Sequence, residues 1–158
     1  DALGAIPRLL DMKVEPFLLG STLNVILAQR LARKICEHCK AEQKLPQEIV
    51  EHIKRELAIT PVAVIKQMLP DFDIKKIKFY KGQGCARCGS TGYMGRVALA
   101  EVLDANDEIK EIIMNNKKNI TLDDLVKNQN FITMKQDGII KVLLGLTTME
   151  EVLRTVNI

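Results

Sequence analysis

Two short clips, Cys36-Glu-His-Cys39 and Cys85-Ala-Arg-Cys88, constrain this chain more than any other feature. Each presents two thiols from one tight turn, and together they use all 4 cysteines in the chain. Four thiolates are the full ligand set of a tetrahedral Zn²⁺, so zinc held by Cys36, Cys39, Cys85 and Cys88 is the first reading. An iron centre with the same ligands, a redox dithiol pair and plain buried cysteines are its rivals. A closed four-sulfur site leaves no position for water or substrate, and its expected role is to hold the fold together. It also requires residues 40 to 84 to fold as a subdomain whose ends meet. That insert is longer than the ~15–20 residues usual between paired clips.

The chain has 158 residues, of which 47% are hydrophobic, enough for one domain with a core or two small ones in contact. Its formal charge is +3, which four thiolates and a divalent ion would bring to about +1. Near neutrality and 4% aromatics argue against a basic nucleic-acid footprint with stacking platforms. No run reaches the ~20 apolar residues of a membrane span, and the start shows no basic segment leading into an apolar one. Cytoplasmic residence is the expectation, and a reducing compartment favours metal over disulfide at such clips.

Residues 1–10 run straight into a helical pattern, as a fragment of something longer would. Ser21 stands where a helix cap belongs, and Leu23, Ile26, Leu27, Arg30 and Leu31 at helical spacing predict a helix over 21–35. Val25, Ala28, Ala32 and Ile35 give it a second apolar stripe, so it is expected between layers. The insert carries two predicted helices, one after Pro46 with Ile49, Val50, Ile53 and Leu57, and one after Pro61 with Val62, Ile65 and Leu69. Alternation through Ile77 and Phe79 predicts an edge strand over 76–81, whose lysines, with Lys75, discourage unwanted strand pairing.

Past the second clip, Gly89, Gly92 and Gly95 predict a tight loop, and residues 96–103 a strand. Glu101 interrupts that strand's apolar face, which calls for solvent or for a partner such as Arg96. The rest reads as a helical bundle. Ile109, Ile112 and Ile113 mark one helix, Thr121-x-x-Asp124 opens another, Thr133 caps a third, and Thr148-x-x-Glu151 caps the last.

No phosphate loop, no G-x-G-x-x-G opening a helix and no acidic run after an apolar strand is present, so this stretch is not expected to hydrolyse nucleotide by itself. His38 and His52 stand apart from any nucleophile, and four thiolates satisfy the metal without His38. The resulting fold class is mainly α with a small β element, a tetracysteine subdomain inserted between helical segments and a C-terminal helical bundle. A free-standing zinc-ribbon module, binding nucleic acid through the lysine strand and the basic end of the 21–35 helix, is the alternative function.

Several motifs in order resemble the type II secretion and type IV pilus assembly ATPases. They are Gly4-Ala-Ile-Pro-Arg-Leu-Leu-Asp-Met12 with Val14-Glu-Pro-Phe17, Ala28-Gln-Arg-Leu31 before Cys36, and Thr91-Gly-Tyr-Met-Gly-Arg96 with Glu101-Val-Leu103. Asp137-Gly138, Gly145-Leu-Thr-Thr148 and Glu151-Val-Leu-Arg154 extend the likeness to the C-terminus. The resemblance implies a hexameric ring motor whose ATP- and Mg²⁺-binding core precedes Asp1. Residues 1–35 would then be the last helices of that core, 36–103 the zinc subdomain and 104–158 the C-terminal helical region.

It places the zinc ligands at Cys36, Cys39, Cys85 and Cys88, and gives Arg96, and more weakly Arg30, a contribution to nucleotide turnover across subunits. It favours the assembly branch over the retraction motors, which generally lack the four cysteines. The implied partners are the other subunits of a homo-hexamer, an inner-membrane platform and cytoplasmic assembly proteins, with neither nucleic acid nor a transmembrane segment. The implied location is the cytoplasm, peripheral to the inner membrane through those partners.

Overall fold

The structure, a computed structural model, describes residues 1–70, 72–73, 76–115 and 129–156. Two helices open it, α1 (Ala2–Asp11) and α2 (Pro16–Thr22), followed by strand β1 (Val25–Ile35). The segment between the clips holds β2 (Lys40–Gln43), α3 (Gln47–Ile59), α4 (Val62–Met68) and β3 (Phe79–Gly82). After a 3₁₀ turn at Ala86–Cys88 come β4 (Tyr93–Asp104), α5 (Asp107–Met114), α6 (Met134–Leu143) and α7 (Met149–Val156).

The helix expected over 21–35 is a strand for most of its length. The stretch has apolar residues at both helical and alternating positions, and tertiary pairing decides between them. β1 runs antiparallel to β4, from Val25 opposite Asp104 to Arg33 opposite Arg96. Its two apolar faces are therefore the two faces of a strand: Ile26, Ala28, Arg30 and Ala32 turn inward, while Val25, Leu27, Gln29 and Leu31 turn outward. The tetracysteine segment is accordingly inserted between two strands rather than between helical segments. Ser21 caps nothing; its hydroxyl donates back to the Leu18 carbonyl.

Two apolar clusters cover the inner face of this ribbon. Ala32 and Leu99 meet Ile53 and Leu57 of α3, Phe79 of β3, Ile139 of α6 and Val152 of α7. Leu103, at the other end, meets Ile6 of α1, Leu19 of α2, and Ile109 and Ile113 of α5. The predicted helices at 46–57, 61–69 and 109–113 and those capped at Thr133 and Thr148 are present within a residue or two. Of these, α6 packs on β4 and α7 on β1, the two also packing on each other, while α3 touches α6 and α5 packs on α2. The Thr121-x-x-Asp124 box lies outside the described residues. No helix among the described residues is long and apolar enough to cross a membrane.

Glu101 is 5% exposed and does not pair with Arg96, which lies on the outer face of the ribbon. Its carboxylate instead accepts from the amide of Ala2, at the start of α1 (2.5 Å), and from that of Met134, at the start of α6 (2.9 Å). A buried negative charge is thus met by the positive ends of two helices and by amide protons that lack a partner within their own helices.

Candidate metal centre

The clips meet because β2 and β3 pair antiparallel, with Lys40 opposite Gly82. Cys36 follows directly on β1, Cys39 precedes β2, Cys85 follows β3 and Cys88 ends the 3₁₀ turn. The two turns close alike: the Cys39 amide donates to the Cys36 carbonyl and the Cys88 amide to the Cys85 carbonyl, both at 3.2 Å. The Cys36 amide also donates to the Gly92 carbonyl at 2.9 Å, tying the first clip to the loop behind the second.

All four Sγ atoms lie within 4.8 Å of one another. Cys36 to Cys85 and Cys39 to Cys88 are 3.9 Å apart, and Cys85 to Cys88 is 3.7 Å. Sulfurs bonded at ~2.3 Å to one tetrahedral ion are about 3.8 Å apart, so these edges fit a four-sulfur metal site. Cys36 and Cys88 are buried. No disulfide joins any of the four.

Amides aim at the sulfurs. Gly84 donates to Cys39 Sγ (3.3 Å), while Cys85 (3.2 Å) and Gly92 (3.3 Å) both donate to Cys88 Sγ. Without metal this arrangement splits the thiols. Burial pushes Cys39 up to about 11. Burial is also the largest influence at Cys88, but the amides of Cys85 and Gly92 and the neighbouring thiols outweigh it and hold that sulfur down at about 6. Hydrogen bonds to a thiolate stabilise the form that binds a metal.

Gly92, one of the glycines expected in a tight loop, makes a close backbone approach to Gly82. A Cβ on Gly82 would stand 1.9 Å from the Gly92 carbonyl oxygen, so the two backbones touch where β3 passes the loop. Only residues without side chains permit that approach. His38 is exposed and off the cluster, and the Arg87 guanidinium sits 2.8 Å from its Nε2, linking the two clips at the surface.

The two arginines singled out in the sequence are not brought together. Arg30, on the inner face, donates to the Thr155 carbonyl at 2.7 Å and lines a cavity of about 320 Å³ with Glu101, Thr133 and Lys135. Arg96 is exposed on the outer face, opposite Arg33 in the ladder, and its side chain has no hydrogen-bond or ion-pair partner among the described residues.

A cluster that the sequence reading missed lies on the strand that leads into the first cysteine clip. The Glu151 side chain has no exposure, and its oxygens accept from Arg33 Nη2 (2.5 Å), the Arg33 amide (3.1 Å), Arg154 Nε (3.1 Å) and Arg154 Nη2 (2.8 Å). The Arg33 guanidinium stacks 4.3 Å from the centre of the Tyr93 ring, and the Tyr93 hydroxyl reaches Thr148 at 3.0 Å. The spacing of Glu151 and Arg154 was a visible signal. Thr148 does receive the Glu151 amide as half of a capping box, but the carboxylate is committed elsewhere.

Paired cysteine turns between the two strands of a ribbon, with helices packed behind, define the class of protein. The chain belongs to the family described as Type II/IV secretion system protein, whose sequence profile matches residues 1–154. Among its relatives, the type IV pilus assembly ATPase PilB of Thermus thermophilus is 40% identical over 158 residues, covering 99% of this chain and 16% of that protein. PilB of Pseudomonas aeruginosa is 34% identical over 149 residues, 94% of this chain and 24% of the relative. The type II secretion system protein E of Aeromonas hydrophila is 35% identical over 153 residues, 97% of this chain and 27% of the relative. The chain therefore spans between a sixth and about a quarter of the length of these relatives.

Proposed function

We propose that this chain is the C-terminal, zinc-stabilised portion of a hexameric traffic ATPase that powers pilus assembly or type II secretion. ATP and Mg²⁺ would be bound by parts of the parent protein outside this stretch, and the stretch itself serves structure and the coupling of motion. The observation that carries the reading is the convergence of four thiols, at tetrahedral spacing, between the end of β1 and the start of β4. Zinc held by Cys36, Cys39, Cys85 and Cys88 would clamp the insert to the ribbon as one rigid knob. Domain rotation driven by nucleotide elsewhere would then move the knob's surface without deforming it.

In this reading residues 1–35 belong to the motor core, 36–103 to the zinc subdomain and 104–158 to the C-terminal region. Arg96 is exposed and unpaired, which leaves it available to a neighbouring subunit. The working location is the cytoplasmic side of the inner membrane, reached through a membrane platform protein. Of the lysines that the nucleic-acid alternative relies on, Lys78 is held by Glu42 at 2.9 Å.

The test is metal analysis coupled to thermal melting. One zinc per chain is expected, with a large fall in melting temperature on chelation and in Cys36→Ser or Cys88→Ser. A well-folded, metal-free protein with an unchanged melting temperature would sink the reading.

A further inference from the structure

The loop behind the second clip carries a polar side chain that neither the cysteine cluster nor the ion pairs account for. Thr91 follows Cys88 by three residues and directly precedes Gly92. Its hydroxyl donates to the Cys88 carbonyl at 2.6 Å, and its oxygen accepts the Tyr93 amide at 3.3 Å. The Tyr93 carbonyl also lies 3.1 Å away, but a hydroxyl has one proton to give and the shorter contact takes it. Local side-chain bonds of this kind hold the backbone in a shape that neither helix nor sheet supplies.

What they hold is Gly92. Its amide donates to Cys88 Sγ at 3.3 Å, and its carbonyl accepts the Cys36 amide at 2.9 Å. Gly92 thus serves the buried cysteine of each clip. It does so at φ of +77°, as the residue type whose flanking peptide planes turn most freely. The Tyr93 amide that Thr91 accepts is the far edge of the same peptide plane whose carbonyl meets Cys36. One hydroxyl therefore fixes that plane at one edge, and its bond to the Cys88 carbonyl closes the loop back onto Cys88.

We infer that Thr91 is a positioning residue of the metal centre, whose hydroxyl aims the Gly92 backbone so that its amide faces Cys88 Sγ and its carbonyl holds Cys36. The inference rests on the zinc reading, since its consequence is retention of the ion. Amides that donate to a thiolate favour the form that binds metal. Removing the groups that orient metal ligands typically costs about 10- to 100-fold in affinity. Every bond in this relay runs between residues of the two clips and the loop that follows them.

The experiment loads the 158-residue chain with Zn²⁺ and, separately, with Co²⁺, whose sulfur-to-metal charge-transfer bands report the thiolates. Wild type, Thr91→Val, Thr91→Ser and Thr133→Ala are compared by chelator competition, optical spectra and thermal melting. Valine keeps the shape of the side chain and removes the hydroxyl. Thr91→Val is expected to bind zinc about 10-fold or more weakly, and to move the Co²⁺ charge-transfer band to lower energy as Cys88 Sγ loses its aimed amide. Thr91→Ser should return both to wild-type values. Thr133→Ala removes a cap whose hydroxyl receives the Gln136 amide in α6, and should lower the melting temperature while leaving affinity and spectrum unchanged. A Thr91→Val chain with wild-type affinity and spectrum overturns the inference. So does a Thr91→Ser chain as impaired as the valine variant, or a Thr133→Ala chain that reproduces the same metal defects. A wild-type chain that takes up no metal overturns the zinc reading itself, and this inference with it.

Discussion

The Glu151 carboxylate, fully buried at the first turn of α7, lies 2.5 Å from the Arg33 guanidinium on β1 and also accepts the Arg33 main-chain amide at 3.1 Å. One side chain thus anchors the last helix to both the backbone and the side chain of the strand that leads into the first cysteine clip. Thr147 adds a second tie, donating to the Arg33 carbonyl at 2.8 Å. The strand position three residues before Cys36 is held from behind by the C-terminal segment.

Stability should follow the ionisation of Glu151. Burial favours its neutral form most strongly, but the Arg33 and Arg154 guanidiniums and the Arg33 amide prevail and hold it at about 2, against an ordinary value of 4.5. A carboxylate depressed in the folded state contributes stability that is complete above its unfolded value and is lost as pH falls through the folded one. The window is therefore pH 4.5 down to 2, and the loss is on the order of 3 kcal/mol. Urea melts at intervals across that range are expected to show this loss in the wild type and its absence in Glu151→Gln. The variant should be less stable at pH 7 by about 3 kcal/mol, as when a buried ion pair loses one partner. Parallel pH profiles for the two proteins would contradict this.

The contact of Gly82 with Gly92 makes a separate prediction. Alanine at position 82 would place its Cβ 1.9 to 2.6 Å from the carbonyl oxygen, carbonyl carbon and Cα of Gly92, all backbone atoms that cannot rotate away. Gly82→Ala is expected to cost at least about 3 kcal/mol and to lower zinc retention, because β3 and the loop behind Cys88 must part. Gly89→Ala is the control. A Cβ there meets nothing within 4 Å, although φ of +58° still carries a strain of about 1 kcal/mol. Equal zinc retention in the two variants would refute the close-approach account.

Zinc uptake should release protons. At pH 7 the Cys39 thiol, pushed up by burial to about 11, is protonated in the metal-free chain and must lose that proton to become a ligand. Cys88, held at about 6, is already mostly thiolate and contributes little. Calorimetric titrations in two buffers of different ionisation enthalpy are expected to report net proton release on binding. The apparent zinc affinity should fall steadily as pH is lowered, most steeply below about 6, where Cys88 also takes up a proton. Heats independent of buffer would exclude this ligand chemistry.

The cysteine cluster was legible in the sequence because its parts are local: two paired turns and four chemically distinctive side chains, with no other cysteine to confuse the grouping. The helices of the insert and the caps at Thr133 and Thr148 were legible for the same reason, since apolar spacing and capping are written within a few residues. β1 was not. Leu, Ala and Ile occur there at positions that suit a helix as well as a strand, and the choice is made by β4, which begins 58 residues after the last residue of β1. Glu101 and Glu151 show the same boundary. Each accepts from partners far along the chain, Ala2 for the first and Arg33 for the second, and although the spacing of Glu151 and Arg154 announces a local pair, no local pattern announces these distant ones.

Glu101 supplies the sharpest contrast between the local expectation and the fold. A pairing with Arg96 on the same strand would make the two side chains interdependent, so that removing either would cost the same interaction. The observed partners are instead the first amides of α1 and α6, and the two side chains lie on opposite faces of β4. Glu101→Gln turns one acceptor into an NH₂ donor, which then faces an amide hydrogen in a buried site and removes the negative charge from two helix N-termini. A loss of about 2 to 4 kcal/mol is expected. Arg96→Ala should change stability by less than about 0.5 kcal/mol. In a double-mutant cycle the coupling between the two positions is expected to be close to zero, and a coupling above about 1 kcal/mol would restore the strand-local pair and overturn the helix-bridging role of Glu101.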